Sequence, residues 1–177
     1  DGATHQILED LGLMKMLPNM VVLNPCDYNQ TKAATIAAAE YKGPVYIRFG
    51  RAKVPVFIHE DIRLDIGKAV VLNEGSDVSL MATGHLVWEA LQAAEMLEKE
   101  GISAEVLDIH TIKPLDGEAI LRSAKKTGCV VSCEEHQYNG GLGESIAQLL
   151  VRNAPMPMEF IGIDDKFGES GKPDELM

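Results

Sequence analysis

From Gly67 onward, short apolar runs alternate with stretches of helical period, and no other feature of the 177-residue chain limits its fold so strongly. Residues 78–82, 104–108, 129–133 and 158–163 read as strands. Leu86, Ala90, Ala94 and Leu97 mark one face of a helix that Gly101 stops. Asp116 caps a second helix ending at Gly128, and Gly140-Gly141-Leu142-Gly143 leads into a third that runs through Val151. Residues 68–72 read as a short edge strand, turned by Asn73-Glu74-Gly75. Strands alternating with helices of this length require right-handed crossovers, so the sheet is mostly parallel and the layers run α/β/α.

The residues before this point read differently. Ile7, Leu8, Leu11 and Met14 share a helical face. That helix ends before Pro18, because the residue preceding a proline is pushed out of the α region. Residues 20–23 form a short apolar run, best read as a buried strand. Asp27 stands three residues before Gln30 as the N-cap of an alanine-rich helix over 28–41, which Gly43-Pro44 stops before a strand over 45–49. A helix–strand–helix–strand run is the back half of a parallel-sheet α/β domain. Residues 52–67, with Pro55 and mixed charges, read as a linker, so the chain divides into 1–60 and 67–177.

Composition narrows the function. Sixteen Lys and Arg against 27 Asp and Glu give a net charge of −11. Such a chain is no general nucleic-acid binder and no ligand for anionic membranes, since both need basic side chains to displace counterions. A small anionic substrate remains compatible, because one arginine fork can hold it locally. No apolar run approaches the ~18 residues of a membrane span. The N-terminus lacks both a secretion signal and an initiator Met, which points to a processed product or a piece of something longer. Cys26, Cys129 and Cys133 make no disulfide framework; they read as small buried hydrophobes in a reducing cytoplasm. Met14, Met81 and Met96 read as core gap-fillers.

An acid and an imidazole four residues apart, as in Asp1-Gly2-Ala3-Thr4-His5-Gln6, can point into one cleft. There the carboxylate accepts from hydroxyls and the imidazole moves a proton near neutral pH. Read alone, such a pair is an ordinary polar loop, and Arg51 alone is a solvated arginine after a strand. The ordered set changes this. The opening string, a helix, Leu17-Pro18-Asn19-Met20, an apolar strand and Pro25-Cys26-Asp27 resemble the pyrimidine-binding domain of the transketolase family. The stretch Gly43-Pro44-Val45-Tyr46-Ile47-Arg48-Phe49-Gly50-Arg51 continues that resemblance. Met81-Ala82-Thr83-Gly84, Thr111-Ile112-Lys113-Pro114-Leu115-Asp116 and Glu134-Glu135-His136 with the 140–143 loop resemble the family's C-terminal domain.

The resemblance implies thiamine diphosphate-dependent transfer of a two-carbon ketol unit between sugar phosphates. In it, Asp1 contacts a donor-sugar hydroxyl, His5 lies near the reacting carbons, and Arg51 pairs with the sugar phosphate. Arg48 and Lys53 are weaker candidates to assist. The family's cofactor-activating Glu lies upstream of the matched stretch, and its Gly-Asp-Gly…Asn motif for the diphosphate and Mg²⁺ lies in another domain. Neither is found in this sequence. The chain alone is therefore expected to bind no cofactor tightly, to hold no metal and to be inactive by itself. Its expected partners are an N-terminal transketolase segment or subunit and a second copy, in a cytoplasmic homodimer.

Two alternatives stand beside this reading. Sibling thiamine enzymes share parts of the pattern: deoxyxylulose-phosphate synthases the Asp-Gly-x-Thr-His loop, and 2-oxo acid dehydrogenase β subunits the two-domain layout. Residues 49–55, however, lack the Tyr-Pro-Arg-Gly of the synthases. The other alternative is a non-catalytic α/β interaction module. The 140–143 loop reads as a tight turn, since its glycine spacing is wrong for a dinucleotide fingerprint. Glu134-Glu135-His136 reads as an interdomain or subunit contact, His59 as solvated, and His85 and His110 as structural.

Overall fold

Asp27 starts the longer helix of the first segment: its extended backbone turns the chain, and its carboxylate accepts from the Gln30 amide at 2.8 Å. The computed structural model describes residues 6–50, 52–172 and 176. The first segment holds α1 (Asp10–Lys15), β1 (Val21–Leu23), α2 (Tyr28–Glu40) and β2 (Val45–Ile47). The rest holds β3 (Val70–Asn73), β4 (Val78–Ala82), α3 (Leu86–Lys99), β5 (Ala104–Asp108), β6 (Thr111–Lys113), α4 (Gly117–Thr127), β7 (Val130–Gln137), α5 (Leu142–Asn153) and β8 (Met158–Ile163). None of the described helices is long and apolar enough to cross a membrane.

The strands form two sheets, ordered β2-β1-β6 and β3-β5-β4-β7-β8. In the larger, β5, β4, β7 and β8 run parallel and only the edge strand β3 is antiparallel. This is the mixed, mostly parallel α/β class read from the sequence. Alternate residues of β4 explain the layering. Met81 packs on the face carrying Ile120, Leu142 and Ile146 of α4 and α5, whereas Leu80 and Ala82 pack on the face carrying Val87 and Ala90 of α3. Both faces are covered, as a parallel sheet requires.

The smaller sheet mixes the two segments. β1 pairs in parallel with β2 and antiparallel with β6, so the chain after residue 110 returns to close the first sheet. Lys113, at the end of β6, donates through Nζ to the carbonyls of Lys15 (2.9 Å) and Leu17 (2.6 Å), satisfying acceptors at the end of α1. The sequence gives no sign of this strand. Other boundaries shift by a few residues: α1 begins at Asp10, β2 ends at Ile47, and β7 runs on through Gln137. Met96 is 66 % exposed and fills no core gap, because it falls on the outer face of α3. Cys129 is likewise only partly covered, its thiol donating to the Asp77 carbonyl at 3.2 Å, while Cys26 and Cys133 are buried.

Asp27 also fastens the stretch that follows β2. Its second carboxylate oxygen accepts from the Phe57 and Ile58 amides at 2.9 and 2.8 Å. One buried carboxylate thus serves three backbone donors, which no neutral side chain of its size can do. Asp27→Ala is expected to lower unfolding stability by about 2–4 kcal/mol, read as a shift of the urea midpoint; Asp27→Asn should lose roughly half as much.

Candidate functional site

Asp1, His5 and Arg51, to which the sequence reading gives the substrate contacts, lie outside the described residues. The stretch after His5 and those flanking Arg51 are described, and two of these meet. Arg48 follows β2 and reaches back toward the opening stretch, its Nη2 standing 3.4 Å from the carbonyl oxygen of Ile7. Its Nε lies 3.5 Å from Asp10 Oδ1 and its Nη1 3.6 Å from Glu135 Oε2. Tyr46, two residues earlier and so on the same side of the strand, donates through its hydroxyl to Asp10 Oδ2 at 2.7 Å. Burial beside the Asp10 carboxylate pushes the Tyr46 phenol up to about 12, so it stays a donor. The Arg48 side chain is 12 % exposed and flanked by two carboxylates. It joins the stretch before α1, α1 itself and β7. Lys53 is exposed.

The larger sheet offers its own crevice. In doubly wound sheets, ligands sit beyond the C-terminal strand ends where successive connections leave in opposite directions. Here that point is the end of β4, flanked by β5 and β7. The first segment fills it. Asn24, just after β1, donates its amide to the His110 carbonyl (2.9 Å) and accepts the Gly84 amide (3.2 Å) and the Thr83 hydroxyl (3.3 Å). Thr83 and Gly84 therefore bind the neighbouring segment. His85 comes next, and the backbone of Gly50 lies against its ring. His85 Nδ1 stands 3.8 Å from Glu135 Oε2, while burial holds its pKa below the usual imidazole value. His110 is buried too, and desolvation pulls it down to about 4, so it stays neutral beside Thr111.

The glycine loop cradles an anion, and the anion is the chain's own. Glu134 Oε2 and Oε1 accept the amides of Leu142 (2.7 Å) and Gly143 (2.8 Å) at the start of α5. A carboxylate there is favoured by the helix dipole, while burial raises its pKa. A Cβ on Gly141 would stand 2.3 Å from Glu134 Oε2. Beside it, His136 Nδ1–H donates to the Gln137 carbonyl (2.7 Å), leaving Nε2 to accept the Gly12 amide (3.3 Å). Gly140, at φ +76°, packs so closely that its Cβ would meet the Gly12 Cα at 3.0 Å. Glu134, Glu135 and His136 each serve a contact within this chain, and Glu135 and His136 join the two segments. The loop amides are thus occupied, and among the described residues no three His, Cys, Asp or Glu are grouped to hold a metal.

Sequence reading missed one buried site altogether. Gln30, in the first turn of α2, accepts the Cys26 amide through Oε1 (2.8 Å) and donates through Nε2 to Asp108 Oδ2. Asp108 ends β5, is wholly buried, and its Oδ1 has no hydrogen-bond partner among the described residues. Desolvation raises its pKa to about 7, opposed by the Gln30 bond. The only signal in the sequence was an acid closing an apolar strand.

The chain belongs to the transketolase family. The pyrimidine-binding domain model of transketolase matches residues 1–56 and the C-terminal domain model residues 67–177. A 6-deoxy-6-sulfo-D-fructose transketolase subunit from a Clostridium species is 46 % identical over 99 % of the chain, which covers 55 % of that protein. A 1-deoxy-D-xylulose-5-phosphate synthase from Heliobacterium modesticaldum is 37 % identical over 97 % of the chain, covering 27 % of its length. Among solved structures, a split-gene transketolase described as an inactive beta4 tetramer superposes with a TM-score of 0.90 at 48 % identity, over 92 % of this chain and 55 % of that one. The chain thus spans about half, or less, of the length of these relatives.

Two outcomes follow from the buried carboxylates. The folded chain holds the Asp108 proton up to about pH 7, whereas an unfolded chain releases it near pH 4. In that window the folded state binds more protons, so this group's contribution to stability falls as pH rises from about 4 to about 7 and is flat outside it. Asp108→Asn, which mimics the protonated acid, should flatten the pH dependence of the thermal midpoint across that range relative to wild type. Glu134→Ala strands two buried amides and should cost about 2–4 kcal/mol by chemical denaturation.

Proposed function

We propose that the chain is the C-terminal part of a thiamine diphosphate-dependent transketolase that moves a two-carbon ketol unit between sugar phosphates. In this reading residues 1–60 are the back half of the pyrimidine-binding domain and 67–177 the C-terminal domain. A transketolase N-terminal segment or subunit supplies the groups that activate the cofactor and hold its diphosphate and Mg²⁺, within a cytoplasmic, dimeric assembly. The cofactor provides the carbanion chemistry. This chain contributes substrate binding: Asp1 holds a donor hydroxyl, His5 donates or moves a proton near the reacting carbons, and Arg51 pairs bidentately with the terminal phosphate.

The observation that carries this reading is the junction at Arg48. Through it the exit of the opening loop, at Ile7 and Asp10, is tied to the exit of β2 immediately before Arg51. The described stretch that follows His5 and the described stretch that precedes Arg51 are thus in contact, which supports a shared site for the three side chains. A guanidinium at this place suits any anionic sugar terminus. The sulfo-sugar in the name of the Clostridium relative is one such substrate for that protein. The preference for transketolase over the synthases rests on residues 49–55.

The test is reconstitution. Mixed with its N-terminal partner and thiamine diphosphate, the chain should transfer ketol units from xylulose 5-phosphate to ribose 5-phosphate. Pyruvate and glyceraldehyde 3-phosphate should give no deoxyxylulose phosphate. Arg51→Ala should raise KM for phosphorylated donors by roughly tenfold or more, the worth of a charge-assisted fork, and change KM for unphosphorylated donors far less. Equal effects on both would remove Arg51 from the phosphate site.

A further inference from the structure

We propose that His85 and Glu135 are positioning residues for the strand exit at residues 48–50, through which the second segment sets the affinity for the anionic end of the substrate. This rests on the reading of Arg51 given above. An ideal Cβ at Gly50 would stand 2.2 Å from His85 Cε1, 2.7 Å from Nε2 and 3.0 Å from Nδ1. Only an unsubstituted backbone lies so close on the imidazole, so the ring is the surface against which Gly50 rests.

That ring is itself held from several sides. His85 precedes α3, with its carbonyl accepting the Trp88 amide at 3.3 Å, and Gly84 before it is bonded to Asn24. The imidazole is 10 % exposed. The Glu135 Oε2 that lies 3.8 Å from its Nδ1 is also the oxygen 3.6 Å from Arg48 Nη1. One carboxylate oxygen on β7 therefore faces both the side chain of Arg48 and the ring that supports Gly50. Two points on the strand exit are referenced to one rigid piece of the second segment. Arg51 is covalently next to Gly50, so a displacement of Gly50 moves the root of the guanidinium. A displacement on the order of 1 Å can cost up to about 100-fold in a positioned interaction. Neither His85 nor Glu135 needs to touch substrate to have this effect.

The test is steady-state kinetics of the chain with its N-terminal transketolase partner, using xylulose 5-phosphate and unphosphorylated xylulose as donors. Glu135→Gln and His85→Ala should raise KM for the phosphorylated donor by roughly fivefold to tenfold, a fraction of that ceiling, with kcat near wild type and little change for xylulose. In an Arg51→Ala background the same substitutions should raise KM no further, because they act through that residue. If His85→Ala fails to fold, Glu135→Gln, with a side chain one-third exposed, carries the test alone. Equal effects on both donors, a fall in kcat alone, or effects that multiply with Arg51→Ala would overturn the inference. If Arg51→Ala by itself leaves the phosphorylated donor unaffected, the reading of Arg51 fails first, and the inference fails with it.

Discussion

Asn24 is the residue on which the joining of the two segments turns. Its backbone donates to the carbonyl after β5, and its carbonyl accepts from the two residues after β4. A single residue at the end of a three-residue strand thereby closes the crevice that a doubly wound sheet leaves open. Because it is backbone that bonds there, the arrangement depends on where β1 ends more than on which side chain ends it. Everything placed nearby inherits that register: the ring of His85, the backbone of Gly50 and the carboxyl of Asp108.

Polar groups at this seam are matched with an economy that explains the acidic motifs. Glu134 spends its charge on the start of α5, Glu135 on Arg48 and His85, and Asp27 on three amides. Each carboxylate is met by donors on the elements around it, which is how such groups are tolerated away from water. Asp108 is the exception. Its Oδ2 accepts from the Gln30 amide and, at 4.0 Å, from the Cys26 thiol, its Oδ1 has no hydrogen-bond partner among the described residues, and burial raises its pKa to about 7. Burial also raises the pKa of Glu134, opposed by the amides of Gly143 and Leu142.

Much of the fold was legible from local signals. Asp27 and Asp116 accept the third amide beyond them, as their spacing suggests, and Gly101 and Gly128 take the left-handed conformation that ends a helix. What escaped was set at a distance. β6 is three residues long and pairs with a strand some ninety positions earlier, so no window of sequence contains both. β7 runs through Glu134-Glu135-His136 because partners on other elements satisfy those side chains; in isolation so polar a run reads as a loop. Met96 looked like a core residue only because its type is apolar. For the site, the motifs single out Asp1, His5 and Arg51, while the contacts of the described residues nearby, Arg48 with Glu135 and Gly50 with His85, are tertiary facts with no local pattern.

The strand that the distal segment lends to the proximal sheet has a consequence for how such chains evolve. Without β6, β1 would present a bare edge, and Lys113 would no longer cover the carbonyls at the end of α1. The stretch between the segments looks like a natural crossover point for recombination, yet a hybrid joined there inherits one sheet from two parents. Shuffling among relatives should succeed only when both halves of that sheet travel together, which makes the pair a single unit of inheritance.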